Sequence, residues 1–412
     1  MQTVRILDRT TPPHIVTLVI IAGLSALNMN IFLPSLPGIA KDFNADYAVV
    51  QLAVSGYLAM SALLQIIIGP LSDRYGRRPV LMASLVFFLA ATLLSWLATS
   101  IELFLFGRML QASVVAGIVL SRAIVRDMVD MTEAASMIGY VTMGMTLVPM
   151  VGPALGGFLD ELFGWRSTLL VTFGFGVITA WLVFQDLGET NTTPSSSFTR
   201  QFRAYPELIR SRRFWGYTLT ATFASGAFFS FLGGAPFVAS DILGLSPSDL
   251  GLYFILIALG YMSGNFLSGR YTARIGVNMM MISGGVISTS GLALSILLVL
   301  AGQFTAMAFF APMFLVGLGN GVTLPSANAG IVSVRPHLAG SASGLGGAMM
   351  IGGGAALSVL AGSILSVETG PYPLLAVMLM SAMASIASAL YVVRIERKIA
   401  LAAVTVETRM VE

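Results

Sequence analysis

Twelve apolar runs, each long enough to cross a bilayer as a helix, follow one another along this chain with short polar turns between them. A hydrocarbon core about 30 Å thick takes roughly 20 helical residues to span. Nothing in that core can satisfy a bare backbone, so such runs must close their hydrogen bonds internally as helices. The runs centre on 15–34, 48–69, 80–99, 103–125, 136–158 and 167–184, then on 215–238, 250–268, 279–301, 304–324, 339–365 and 373–393. Residues outside them are few: 10% of the 412 are charged and 56% are hydrophobic, with a mean hydropathy of +0.87. A cytosolic enzyme, a disordered chain and a nucleic-acid binder are excluded on that basis. The first run follows Arg5 and Arg9 and imitates a signal peptide, but it is long for one and no small-x-small site follows it. A retained first helix is therefore expected.

The arginines set the orientation. With the N-terminus placed in the cytoplasm, nineteen of the 22 basic residues fall on the inner side, only Lys41 and Arg166 fall outside, and Arg108 lies within a span. The positive-inside bias then predicts two cytoplasmic termini and an even number of spans. The longest polar stretch, Gln185–Arg213, divides the spans six and six. Two six-helix bundles are expected at 1–184 and 214–394, joined by a cytoplasmic linker at 185–213 and followed by a tail at 395–412. The halves echo each other weakly: Leu71-Ser-Asp73-Arg74-Tyr75 after span two resembles Leu267-Ser-Gly269-Arg270-Tyr271 after span eight. Parallel six-helix repeats with a site at mid-membrane are a known transporter plan.

There is no cysteine, and His14 and His337 stand alone, so neither thiol chemistry nor a metal centre or other cofactor is expected. The segment Gly69-Pro-Leu-Ser-Asp73-Arg74-Tyr-Gly76-Arg77-Arg78-Pro79 reads as a tight inner turn. Asp73 is set to face a helix N-terminus, and the arginines to grip a second acid, with Asp127 the candidate. A conformational lock follows from Gly69, Asp73, Arg74, Gly76, Arg77, Arg78 and Asp127. A plain positive-inside anchor would need the arginines but not the glycines or the aspartate.

That segment resembles the signature loop of the major facilitator superfamily. Three more segments resemble its drug:proton antiporters, in particular the Bcr/CflA-type multidrug exporters. They are Asn30-Ile-Phe-Leu33-Pro34-Ser-Leu-Pro37, Arg108-Met-Leu-Gln111-Ala112 and Pro149-Met-Val-Gly152-Pro153-Ala-Leu-Gly156-Gly157. Arg122-Ala-Ile-Val-Arg126-Asp127 and Leu187-Gly-Glu189-Thr190 also look like recurrent pieces of that group. The resemblance implies an all-α integral membrane protein of twelve transmembrane helices, the major facilitator fold, that exports varied small molecules across a bacterial inner membrane against protons. Departures are Gly269 opposite Asp73, Val114 and Val148 where glycine is frequent, and Asn30 where these exporters usually carry aspartate.

Proton coupling needs a titrating group inside the membrane. Glu102, Asp160, Glu161 and Asp249 sit near outer ends, and Asp127, Glu133 and Asp186 near inner ends, so no acid lies mid-span. Arg108 is the one cation inside a span. It could snorkel to Glu102, donate to Gln111 and Asn30 as a packing node, or face the cavity. A cavity that holds a cation and no acid would favour neutral, zwitterionic or anionic amphipathic substrates. Further cavity candidates are Tyr57, Phe228, Phe231, Tyr253, Asn265 and Asn320, since a site for lipophilic compounds is apolar with few polar groups. The glycines of Pro149–Gly157 point to a bent helix, Gly152, Pro153, Gly156 and Gly157 included, packed against the other half. The expected partners are the lipid bilayer, a small-molecule substrate and protons, with no nucleic acid and a monomeric state. A transporter of one specific metabolite, or a non-transporting receptor or scaffold, would be the alternatives.

Overall fold

A computed structural model describes residues 6–128, 141, 148, 151–191, 205–335 and 338–411. Among the described residues eleven helices are long and apolar enough to cross a membrane. They are α1 (Ile15–Asp42), α2 (Tyr47–Tyr75), α3 (Arg77–Trp96), α4 (Ile101–Val125), α6 (Arg166–Asp186), α7 (Arg212–Ile242), α8 (Pro247–Ile275), α9 (Val277–Leu300), α10 (Ala306–Ser333), α11 (Ser341–Ser363) and α12 (Tyr372–Ile399). The expected fifth span lies mostly outside the described residues, as do Glu133, Pro149, Arg200, Arg203 and His337. Its far part, 151–163, is helical and is called α5 here.

Local chemistry sets the ends. Ser100, Ser211, Ser246 and Thr305 each accept a backbone N–H three residues on, satisfying one of the donors a helix start leaves open. Pro247 follows Ser246 at the first helical position of α8, where its missing N–H costs nothing. The α2–α3 and α8–α9 turns share one backbone conformation, with Gly76 at φ 97°, ψ 153° and Gly276 at φ 87°, ψ 150°. A side chain there would be strained, so glycine is required.

This geometry corrects the sequence repeat. Leu267–Tyr271 lies inside α8, and its turn comes at Gly276, so the resemblance to Leu71–Tyr75 is about one helical turn out of step with the backbone. Matching the two glycines places Ala273 opposite Asp73, Val277 opposite Arg77 and Asn278 opposite Arg78.

Three hydrophobic clusters organise the interior. One lies in the first group of helices and includes Leu18, Leu85, Leu120 and Val183. A second lies in the later group and includes Phe214, Met281, Ile331 and Val392. The largest draws on both groups, joining Phe32, Leu36, Val54 and Trp165 to Phe231, Leu250, Phe310 and Leu374. The shared cluster sits at the end that carries Lys41 and Arg166. The separate ones sit toward the end that carries Arg74, Arg77, Arg78, Arg270 and Arg274. The halves therefore meet at the arginine-poor end and keep separate cores at the arginine-rich end.

Candidate transport path and gating contacts

Arg108 lies in the middle of the first bundle and is 1% exposed. Its guanidinium donates to Asn28 Oδ1 at 3.1 Å, to the Asn28 carbonyl at 3.3 Å and to Gln111 Oε1. Gln111 passes the network to Thr92 on α3 at 2.9 Å, and Thr92 donates to the Phe88 carbonyl. The rings of Phe32 and Tyr57 cover the cation at 3.9 and 4.7 Å from their centroids. Amide oxygens and ring quadrupoles thus do the work a carboxylate would do elsewhere. Among the described residues no acid forms an ion pair with Arg108, and its Nε and Asn28 Nδ2 have no partner.

The sequence offered three partners for this cation, and the structure selects among them. Glu102 stays exposed near the start of α4. Asn30 turns away, donating to the Ala26 carbonyl at 2.7 Å and packing beside Gly152. Asn28, which sequence reasoning passed over, is the residue that α1 presents. The geometry gathers Tyr57, Arg108 and Gln111 and leaves Asn30 outside the node.

The arginine-poor end is closed by contacts between halves. Tyr47 donates from its hydroxyl to the Gly233 carbonyl at 2.7 Å, and its ring lies 4.9 Å from that of Phe237. Gln51, 1% exposed, donates to the Ser358 carbonyl at 2.9 Å. Any Cβ added at Gly233 or Gly362 would overlap the Gln51 amide. Neither Tyr47 nor Gln51 was singled out in the sequence. A buried glutamine at the start of an apolar span is the signal that could have found it.

Helix α5 braces this seal from two sides. Gly152 and Gly156, one turn apart, face α1, and a side chain at Gly156 would run into the Ile31 carbonyl. Gly157 faces the other half, where a Cβ would strike the Pro247 carbonyl. Gly251 of α8 answers by seating against the backbone of Pro153 and Ala154. Backbone lies on backbone here, so only glycine fits.

The α2–α11 pair shows how the contact fades. Gln51 presses on Gly362; further along, Ala62 lies 3.8 Å from the Cβ site of Gly352 and Gln65 3.5 Å from that of Gly347. Beyond them neither Gly69 nor Gly344 has anything within 4 Å of its Cβ site. Among the described residues, then, α2 and α11 part toward the arginine-rich end.

At that end three of the residues assigned to the lock, Asp73, Arg77 and Asp127, form a network inside the first bundle, while Gly69 touches nothing within 4 Å of its Cβ site. Arg77 donates to Asp127 at 3.0 Å, to Asp73 and to Ser72. The acid at the N-terminus of α3 is not Asp73 but Glu189, which accepts from the backbone N–H of Arg77 at 2.8 Å and of Arg78 at 3.2 Å. Gly76 leaves room for that carboxylate, since a Cβ there would overlap it. Asn191 donates to the carbonyls of Ser72 and Asp73 and so caps the end of α2. Arg74 lies over the Tyr75 ring at 5.4 Å, and Arg78 donates to the Phe184 carbonyl.

The second-half candidates fall into separate places. Phe231 is fully buried in an aromatic cluster with Phe254, Phe309 and Phe310, and Tyr253 stacks on Phe310 at 4.8 Å. Phe228 stacks on Tyr261 at 6.2 Å, and Asn265 donates to the Tyr261 carbonyl. Asn320 lines a small cavity within the second bundle, with Ser288, Thr323 and Ser385 among its neighbours and its Nδ2 unbonded.

The all-helical fold and the motifs it carries can be set against known proteins. The Major Facilitator Superfamily profile matches residues 18–359 and 237–405. The chain belongs to that superfamily. It is a transporter rather than an enzyme, and a multi-pass protein of the inner membrane. An uncharacterized MFS-type transporter, YdgK, of Bacillus subtilis is 32% identical, over 88% of this chain and 90% of its own. A chloramphenicol resistance protein of Pseudomonas aeruginosa is 30% identical, over 77% of this chain and 76% of its own. Multidrug resistance protein D of Escherichia coli is 27% identical, over 84% of this chain and 87% of its own. A bicyclomycin resistance protein homolog of Haemophilus influenzae also matches, at 27% identity over 87% of this chain and 90% of its own. The Bcr/CflA-type resemblance therefore stands. Among solved structures, an inward-facing, unoccupied bacterial homolog of the human lysosomal transporter Spinster superposes with a TM-score of 0.68, at 17% identity over 92% of this chain and 94% of that one.

Proposed function

We propose that this transporter exports drug-like small molecules from the cytoplasm in exchange for protons, by rocking two six-helix bundles about a central site. In this reading the chain has twelve spans, both ends lie in the cytoplasm, and the arginine-rich end is the cytoplasmic face. The structure then stands with its inner side parted and its outer side shut. The observation that carries the reading is the double seat of α5, whose Gly156 rests on α1 while Gly157 rests on the start of α8. A glycine helix wedged between the halves can seal in one state and release in the other without remaking its own bundle. Resistance proteins among the relatives support drugs as the cargo.

The buried cation sets the substrate class. A second positive charge brought near Arg108 would find no carboxylate to offset it, so neutral, zwitterionic or anionic amphipathic compounds are favoured over simple cations. Asn30 cannot titrate, so in this reading the proton is carried by another group.

The test is a susceptibility panel with the gene deleted and overexpressed, run with and without a protonophore. Chloramphenicol, bicyclomycin and a quaternary ammonium dye belong in the panel. Export of the first class, abolished by the protonophore and weakened by Arg108→Gln, is the expected result. Unchanged susceptibility with the protein in the membrane, together with lost uptake of one metabolite, would replace drug export by metabolite transport.

A further inference from the structure

Two arginines gather on one aromatic ring at the arginine-rich end, and among the described residues neither is paired with an acid. Arg9 lies 4.1 Å from the Phe184 ring centroid and Arg78 lies 5.5 Å from it. Those distances cap the separation of the two guanidinium carbons at about 10 Å, within the span of a phospholipid headgroup. Among the described residues Arg9 donates only to Gln185 Oε1, at 3.3 Å, and the Arg78 side chain only to the Phe184 carbonyl, also at 3.3 Å. Arg78 Nε is buried and has no partner.

The acids close by in sequence are committed elsewhere. Asp8 accepts from Thr10, and Asp186 from the backbone of Leu7 and His14 and from the Thr17 hydroxyl. Glu189 accepts from the backbone of Arg77, Arg78 and Asn191. None of the ion pairs among the described residues involves Arg9 or Arg78. By contrast, Arg213 and Arg335 at the same end of the second bundle each hold a glutamate.

The surroundings are those of a lipid interface. Trp181 and Phe184 sit one turn apart on the outward face of α6, about half exposed. Such rings settle at headgroup depth, and unpaired arginines at that depth attract anionic lipid. We propose that Arg9 and Arg78 hold the phosphate of an anionic phospholipid against the rim of Phe184. The lipid engages the α2–α3 turn from outside the bundle, through Arg78. It also ties the segment before α1 to the end of α6.

Native mass spectrometry of the full chain, delipidated and then offered phosphatidylglycerol, phosphatidylcholine or inorganic phosphate, tests the site. Each arginine removed should weaken phosphatidylglycerol retention about fivefold. Arg9→Gln with Arg78→Gln should therefore release it, while Arg394→Gln, an exposed arginine of the same end, should not. Arg9→Gln alone serves if the double variant does not fold, because Arg9 precedes the first helix. Equal retention by the variants overturns the proposal. So does protection by phosphatidylcholine equal to that by phosphatidylglycerol, and protection by inorganic phosphate at the same concentration assigns the site to a free anion instead.

Discussion

The two bundles repeat one backbone and wire it differently. Gly76 and Gly276 turn the chain with nearly the same angles, 200 positions apart. In the first bundle that turn is charged: Arg77 takes Asp73 and Asp127, and Glu189 caps α3. In the second, Ala273 and Val277 stand at the matching places and the charge has moved to Glu396. Glu396 accepts from Arg213 at 2.7 Å, Tyr217 at 2.7 Å and Asn278 at 2.6 Å, tying α7, α9 and α12 together. The first bundle keeps a related tie, since Asp186 of α6 accepts from Thr17 of α1 at 2.6 Å. Thr17 and Tyr217 are again 200 positions apart. One fold thus tolerates two electrostatic solutions, provided that each half joins its last helix to its first. The difference is that, among the described residues, only the first half also fastens its turn between the second and third helices to the helix of Asp127.

This contrast can be broken at four places. Arg77→Met should do the most damage, because it strands two partly buried carboxylates. A loss of about 3 kcal/mol is expected in thermal unfolding, against almost none for Val277→Met. If the two substitutions cost the same, the turns do not differ as described. Glu396→Gln should cost about 2 kcal/mol, since it weakens charge-assisted bonds to three helices. A double-mutant cycle with Arg213→Gln should show coupling, and strict additivity would remove Glu396 from its role as the tie. Glu189→Gln keeps the shape but loses the charge at the α3 N-terminus, and about 1 kcal/mol should follow. Hydrogen exchange at Arg77 and Arg78 should rise in that variant; unchanged exchange would mean the cap is incidental. The smallest effect belongs to Asp42→Asn, whose pair with Arg166 is about 40% exposed on both sides, so at most about 0.5 kcal/mol is expected. A larger loss would show that the Trp165 contact to the same carboxylate carries more than the ion pair does.

Much of this was legible in the chain. Apolar run length gave the spans, because the bilayer imposes one length on every helix. The turn glycine Gly76, and Asp127 as an acid for the nearby arginines, could be read because sterics and charge leave few substitutes. Other features hid for physical reasons. Asn28 and Asn30 lie two residues apart on α1 and so face about 200° away from each other, and a span that is apolar all round gives no sign of which one points inward. Leu267–Tyr271 matched by letters while the backbone repeat lay one turn on, since a helix keeps its face when shifted by about four residues. Gln51, Glu189 and Glu396 act on partners more than 100 positions distant, and no local pattern predicts those.

In the proposed transport cycle the halves seal at the arginine-poor end while they part at the arginine-rich end, and exchange these states in turn. The chain has no cysteine, so spin labels can be placed cleanly. One pair, Glu161→Cys with Asp241→Cys, reports the sealed end, and another, Tyr75→Cys with Arg270→Cys, reports the parted end. Distances should be read by pulsed electron resonance in nanodiscs, with and without Gly157→Leu, whose side chain would strike Pro247 across the seal. The account predicts that the first distance lengthens and the second shortens in that variant. Two distances that stay fixed, or that lengthen together, would contradict it.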